Sequence, residues 1–183
     1  MRELSLNILD IAQNSISAKA NLVEIVVEES TADSTMTIRI IDDGCGMSEE
    51  MLRKVNDPFC TTRTTRKVGM GIPLFKMAAE MTGGNFEITS TVGVGTNVVA
   101  CFKTDSIDFT PLGDIDETII TLVTMNTHID FLYRLIVDGR EFTLSTKQLK
   151  DILGGVPLNE SEVVMWIRGY LKEQTQIIRG GVV

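Results

Sequence analysis

Thr35-Met-Thr-Ile-Arg-Ile-Ile-Asp-Asp-Gly-Cys-Gly-Met47 is the stretch on which the reading of this 183-residue chain turns. Its first seven residues are rich in β-branched side chains and predict a strand. Asp42 and Asp43 then stand at the strand's end, and Gly44 and Gly46 let the backbone pass close to a flat ligand. A carboxylate there can accept from an exocyclic amine, a charged hydrogen bond worth about 1.5–3 kcal/mol. An ordinary strand-to-helix turn has a similar composition. A calcium loop does not fit, because its remaining ligands are missing.

Three neighbouring segments give the stretch its meaning. Upstream, residues 3–18 predict a helix, with Leu4, Ile8, Ile11 and Ser15 at helical spacing. Asn7, Asp10, Asn14 and Ser17 fall on it within an arc of roughly 80°. A wet helix face reads the same way. A carboxamide and a carboxylate one turn apart can also hold Mg²⁺ and orient an attacking hydroxyl or water. Leu22 to Glu28 predicts an antiparallel partner for the 35–41 strand, across the turn-like residues 30–34.

Downstream, Ser48, Glu49 and Glu50 open a helix that ends near Asn56-Asp57-Pro58. Residues 60–69 are polar and basic and predict a loop, and residues 71–82 return to helix before Gly83-Gly84. Such a loop, with Thr61, Thr62, Arg63, Arg66 and Lys67 leading to Gly69-Met70-Gly71, can cradle phosphates. It is not the dinucleotide fingerprint, whose third glycine is absent. Asn85 to Thr91 and Thr96 to Lys103 predict two more strands around Gly93-Val94-Gly95.

Bulk properties narrow the class. The net charge of −8 argues against a nucleic-acid or anionic-membrane surface. No apolar run approaches the roughly 20 residues of a membrane span, and no leader is expected at the N-terminus. Cys45, Cys60 and Cys101 are widely spaced and odd in number, which fits a cytoplasmic protein with neither a disulfide framework nor a zinc site. His128 is the one histidine, which excludes a multi-histidine metal centre.

The composition shifts near Asp105. Residues 105–117, with Pro111, Gly113 and five acids, suit a linker between a unit at 1–104 and an α+β extension at 118–183. Ile119 to Met125 reads as a strand or a short helix. Phe131 to Leu144 around Asp138-Gly139 predicts a hairpin with a type I′ turn, and helices follow near 146–153 and 160–176.

Taken in order, four segments resemble the ATP-binding domain shared by gyrase, the heat-shock chaperone, histidine kinases and mismatch-repair ATPases, the GHKL or Bergerat fold. Asp10 to Ala20 is similar to the family's Glu-x-x-x-Asn-x-x-Asp-Ala-Gly-Ala box, and Ile41 to Met47 to its Asp-x-Gly-x-Gly box. Pro58 to Leu74 resembles the kinase pattern Pro-Phe-x-Thr-Thr-Lys…Gly-x-Gly, and Gly93 to Thr96 matches the final Gly-x-Gly-Thr. The resemblance spans residues 1 to about 104. It implies an α+β fold: a two-layer sandwich with a mixed, mainly antiparallel sheet and helices on one face.

The resemblance also implies roles. Asn14 would bind Mg²⁺ and Asp10 would be the general base, with Ser17 where the family has an Asp. Asp42 would read adenine with Thr96 supporting it through water, and Gly44, Gly46 and Met47 would line the base. Thr61, Thr62, Lys67, Val68, Gly69, Met70 and Gly71 would form the ATP lid. Asp10 is one methylene shorter than the family's Glu. Only nine residues precede it, so an acceptor histidine in the same chain is not expected, and His128 does not resemble one. The expected partners are ATP and a protein partner or substrate, with a homodimer as a further expectation. The expected activity is a regulatory ATPase or a protein kinase acting in trans. An ATP-gated clamp or a non-catalytic ATP-sensing adaptor is the alternative.

Overall fold

The computed structural model describes residues 3–56 and 70–180. Six strands form one sheet in the order β3-β4-β2-β1-β5-β6. They are β1 (Leu22–Ser30), β2 (Thr35–Asp42), β3 (Asn85–Thr91), β4 (Gly95–Lys103), β5 (Asp130–Val137) and β6 (Arg140–Ser145). Every pairing is antiparallel except β1 with β5. The helices are α1 (Leu4–Ser17), α2 (Glu49–Asn56), α3 (Gly71–Met81), α4 (Ile115–Met125), α5 (Thr146–Leu153) and α6 (Ser161–Ile178). This is the α+β sandwich that the resemblance implies. The loop expected over 60–69 lies outside the described residues.

Register explains why one face is dry. Ile88, Val98, Ile40, Ile25, Tyr133 and Leu144 stand opposite one another across all six strands, and each is at most 8% exposed. Side chains alternate along a strand, so this row fixes the helix-bearing face. Phe102 of β4 meets Phe75 of α3 at 5.5 Å between ring centroids, and Phe142 of β6 meets Tyr170 of α6 at 5.5 Å. Truncating a ring as buried as Phe75 costs about 3–5 kcal/mol. The other face carries ion pairs: Arg39 with Glu28 at 2.7 Å, and Arg134 with Glu141 at 2.8 Å and Glu24 at 3.6 Å. Val26 is 1% exposed on that side, between Arg39 and Arg134 in register, where the arginine stems can cover it.

The stretch expected as a linker is packed. The first amides of a helix lack internal partners. Here Leu4 and Ser5 donate theirs to the carbonyls of Pro111 and Leu112, at 2.9 and 2.8 Å. Residues 115–117 open α4, and Asp114 caps it by accepting from the Glu117 amide at 3.0 Å. The segment read as a strand or a short helix is therefore helix. Asp114, Asp116 and Glu117, counted as linker acids, are its cap and first turn. The hairpin forms as expected, with positive φ at both Asp138 and Gly139. Through β1 and β5, one sheet runs through both the 1–104 and the 118–183 segments.

Asp116 is 8% exposed and accepts from Thr175 Oγ1 of α6 at 2.9 Å. Burial pushes its pKa above the ordinary carboxylate value; the Thr175 hydrogen bond opposes this, and the Asp114 charge adds to it. A carboxyl with a raised folded pKa binds its proton more readily folded than unfolded. Its contribution to stability is fully present below the unfolded pKa and is lost as pH rises through the folded one. Asp116→Asn should therefore be more stable than wild type at neutral pH, and the gap should close on acidification. Urea unfolding between about pH 4 and 8 checks this; a gap that does not vary with pH would contradict it.

Candidate nucleotide site

The site is built where strand ends meet α1. Pairing of β3 with β4 sets Ser90 opposite Thr96, and pairing of β4 with β2 sets Thr96 opposite Asp42. Three oxygen-bearing side chains thus stand in a row across the sheet. From α1, Ser15 donates its hydroxyl to Asp42 Oδ2 at 2.5 Å. The Gly44 amide donates to Asp42 Oδ1 at 2.9 Å. Each oxygen keeps a further lone pair for a ligand.

Two glycines let the surrounding turns close. Gly46 has φ +68°, and a Cβ there would lie 2.0 Å from the Thr91 carbonyl oxygen. Gly95 has φ +139°, and its added Cβ would lie 1.8 Å from the Asp42 carbonyl oxygen. The Gly93 amide donates to the Cys45 carbonyl at 2.8 Å, so the 44–47 and 92–95 turns interlock.

Above the row lies a cavity of about 270 Å³. Asn14, Ser17, Asp42, Gly46, Met47 and Thr96 all line it. Ile11, Ile40, Val55, Ile72 and Val98 supply apolar wall. An apolar slot with a few convergent polar groups is the ordinary form of a small-molecule site.

Other expected residues sit elsewhere. Gly44 does not line the cavity; it packs against Ala18 and holds Asp42. Asp10 is exposed on α1, outside the lining. A Cβ on Gly71 would come within 3.0 Å of the Asp10 Cβ, so the start of α3 presses on Asp10. Met70, just before α3, is 66% exposed. Thr61, Thr62, Lys67, Val68 and Gly69 lie outside the described residues.

Three further side chains shape the site. Ser15, at helical spacing on α1, orients Asp42. Asp43 is structural: its carboxylate accepts from the Asn21 and Leu22 amides at 2.7 and 2.9 Å and pins the entry to β1. Ser90 bonds both turns at once. Ser15 is 3% exposed, and a buried hydroxyl needs a partner; that need was the available signal.

A second concavity, about 460 Å³, lies beside the start of α4. Its polar groups already serve one another or nearby residues, Thr175 with Asp116 and Arg179 with Glu29. Among the described residues no group of three or more His, Cys, Asp or Glu could hold a metal. No helix among them is long and apolar enough to cross a membrane.

A family model for histidine kinase-, DNA gyrase B- and HSP90-like ATPases matches residues 1–106, and the chain belongs to that family. It carries a GHKL-type ATPase domain, homologous to the catalytic domains of histidine kinases. Sporulation kinase D of Bacillus subtilis (strain 168) is 31% identical over 91 residues, covering 50% of this chain and 18% of that protein. The signal transduction histidine-protein kinase AtoS of Escherichia coli (strain K12) is 30% identical over 95 residues, covering 52% and 15%. The match thus spans less than a fifth of either relative's length.

Among solved structures, the Aquifex aeolicus MutL ATPase domain complexed with ADP aligns with a TM-score of 0.53 at 16% identity, covering 84% of this chain and 70% of that one. The N-terminal domain of a DNA repair protein aligns with a TM-score of 0.51 at 17% identity, covering 79% and 53%. These likenesses show the fold. The first extends past residue 106, because 84% of 183 residues exceeds the matched family segment.

The interlocked turns give a paired test. Gly46→Ala meets both a left-handed backbone and the Thr91 carbonyl, whereas Gly93→Ala at φ +76° meets nothing within 4 Å. Gly46→Ala should cost upwards of about 2 kcal/mol, and Gly93→Ala about 1 kcal/mol from the backbone alone. Urea midpoints for the two variants measure the difference, and equal losses would refute the close approach.

Proposed function

We propose that the cavity takes ATP with Mg²⁺ and that the chain serves as a regulatory ATPase or a protein kinase acting in trans on a partner. The observation that carries this is the Asp42 carboxylate, held by Ser15 and the Gly44 amide at the end of an apolar slot. That geometry suits a flat base with an exocyclic amine. Asp42 accepts from the amine and Thr96 supports it. Gly46 and Met47 pass along the base.

Asn14 stands on the same helix as Asp10 and turns into the cavity. Its carboxamide oxygen is a suitable hard ligand for Mg²⁺, which takes few protein ligands and fills its shell with phosphate oxygens and water. Bound Mg²⁺ would neutralise phosphate charge. Ser17 adds a hydroxyl one turn further along α1. Thr61, Thr62, Lys67, Val68 and Gly69 complete the lid in this reading, with Met70 and Gly71 joining it to α3. Asp10 is the base that would take the proton from an attacking water or acceptor hydroxyl.

A second reading, ATP sensing or clamping without turnover, has two observations in its favour. Asp10 lies outside the cavity lining and is one methylene shorter than a glutamate.

Nucleotide binding and phosphate release by wild type, Asp10→Ala and Asn14→Ala separate these readings. Asn14→Ala should bind ATP at least about tenfold more weakly and lose its response to Mg²⁺. Asp10→Ala should bind normally and turn over about 10²–10⁴-fold more slowly. Wild type that binds ATP but neither releases phosphate nor labels a partner supports the sensor. Unchanged binding by Asn14→Ala would remove it from the site.

A further inference from the structure

The sheet ends at β6, which pairs with β5 alone among the described residues. Asp138 and Gly139 turn β5 into β6 with positive φ, so Val137 and Arg140 close a type I′ turn as a bonded pair. Bonded and unbonded pairs alternate along an antiparallel ladder. Arg140, Phe142 and Leu144 therefore spend their backbone groups on β5, and those of Glu141 and Thr143 face outward. An unpaired row of this kind is a template for a further strand.

The helix α6 reaches over that edge. Arg168 and Thr175 point from α6 to α4, where they meet Glu117 and Asp116. A helix turns about 100° per residue, so Trp166 and Ile177, two positions from these, stand about 160° away from them, on the β6 side. Tyr170 lies on the same side and packs edge-on against Phe142 of β6. Trp166 stacks on Tyr170 with ring centroids 5.0 Å apart and planes 13° from parallel, yet it is 55% exposed. One exposed ring is ordinary by itself. Here the ring is held in place by a second, beside a row of unpaired backbone groups. A strand added to β6 would set alternate side chains, those level with Phe142 and Leu144, on the helix side of the sheet and against this stack.

Charge selects the occupant. Glu162 and Glu173 lie within about 40° of Trp166 around α6. Neither makes an ion pair among the described residues. A lysine or arginine stem can lie on an aromatic face while its head reaches a carboxylate. A second copy of the chain, with its net charge of −8, would bring the same acids to the same place.

We propose that the open edge of β6, beside the Trp166–Tyr170 stack, is a docking site that takes an extended basic segment of a partner protein as a seventh strand. Backbone pairing supplies affinity, and the stack with Glu162 and Glu173 supplies the preference for cationic side chains at alternate positions. The site is separate from the nucleotide cavity, whose lining includes no residue of β6 or α6.

Trp166 is the chain's one tryptophan, so its fluorescence reports on this site directly. The probe is a synthetic peptide alternating lysine and valine, titrated into the full chain, with a glutamate–valine counterpart as control. The basic peptide should shift Trp166 emission and bind more weakly as salt rises, and the acidic one should do neither. By anisotropy of the labelled basic peptide, Trp166→Ala should bind about tenfold more weakly. Glu162→Gln with Glu173→Gln should bind at least about threefold more weakly and lose most of the salt dependence. Thr143→Pro removes an outward N–H and leaves the β5 ladder intact, and should weaken binding about fivefold. The exposed α6 variants carry the test even if Thr143→Pro does not fold.

Failure of the basic peptide to bind overturns the proposal. So does binding left unchanged by Trp166→Ala or by a folded Thr143→Pro, because the peptide is then answering the net charge alone. Self-association of the wild type in sedimentation that Trp166→Ala abolishes also overturns it, and gives the edge to a second copy.

Discussion

The hydrogen bond from Ser15 to Asp42 joins the two halves of the site. It fastens α1, which carries Asp10, Asn14 and Ser17, to the end of β2, where the Asp42–Gly46 turn begins. Both partners are positioned by larger constraints. Ser15 is 3% exposed on the face of α1 that also buries Ile8 and Ile11. Asp42 is placed by register with Thr96 on one side and Val23 on the other. A bond between residues 27 positions apart thus sets the distance between the strand-end turns and the α1 side chains that line one cavity. A hydrogen bond to a charged group is worth about 1.5–3 kcal/mol. That is enough to bias the site's geometry, and too little to hold the fold, which depends on the six-strand apolar row.

The same helix is tied to the C-terminal part. The carbonyls of Pro111 and Leu112 receive the first amides of α1, and Thr118 of α4 donates to the Ser5 carbonyl at 3.5 Å. α4 in turn meets α6 through Arg168 with Glu117 and Thr175 with Asp116. β5 adds in parallel to β1 over eight residue pairs, from Leu22 with Asp130 to Glu29 with Val137. Parallel neighbours require a crossover, and 105–129 provides it, with α4 inside. The packing of that crossover follows from this: it must return across the sheet, and the helix layer already holds α1.

Much of this was legible in the sequence, and the rest has identifiable causes. The strands were visible because β-branched runs alternate with turn residues, as at Val23 to Val27 and Met36 to Ile40. The site's outline was visible because four short segments of glycines, carboxylates and amides recur in a fixed order over residues 10–96, although each alone reads equally as a turn or a wet helix face. Residues 105–117 read as a linker because acids, Pro111 and Gly113 lower local hydropathy, although Asp114-x-x-Glu117 is also a helix-start pattern. Parallel pairing of β5 with β1 has no local signature, since it depends on partners more than a hundred residues apart. Ser15 and Ser90 escaped notice for a related reason. A serine's role lies in which groups share its proton and lone pairs, and only the register shows that.

The two ends of the cavity differ in kind. The turn end is made of backbone turns locked by Gly46, Gly95 and Ser90. The other end depends on side chains of α1 and on the start of α3, where Gly71 has no side chain and Asp10 lies against it. The turn end is therefore set by the sheet. The placement of Asp10 is tied to the contact between two helices, where a side chain at 71 would have to be accommodated against the Asp10 Cβ. The α1 end is therefore sensitive to whatever moves α3 relative to α1, whereas the interlocked turns are not. Under the proposed function, the shorter carboxylate at Asp10 would have to reach its water or hydroxyl from beside that helix–helix contact.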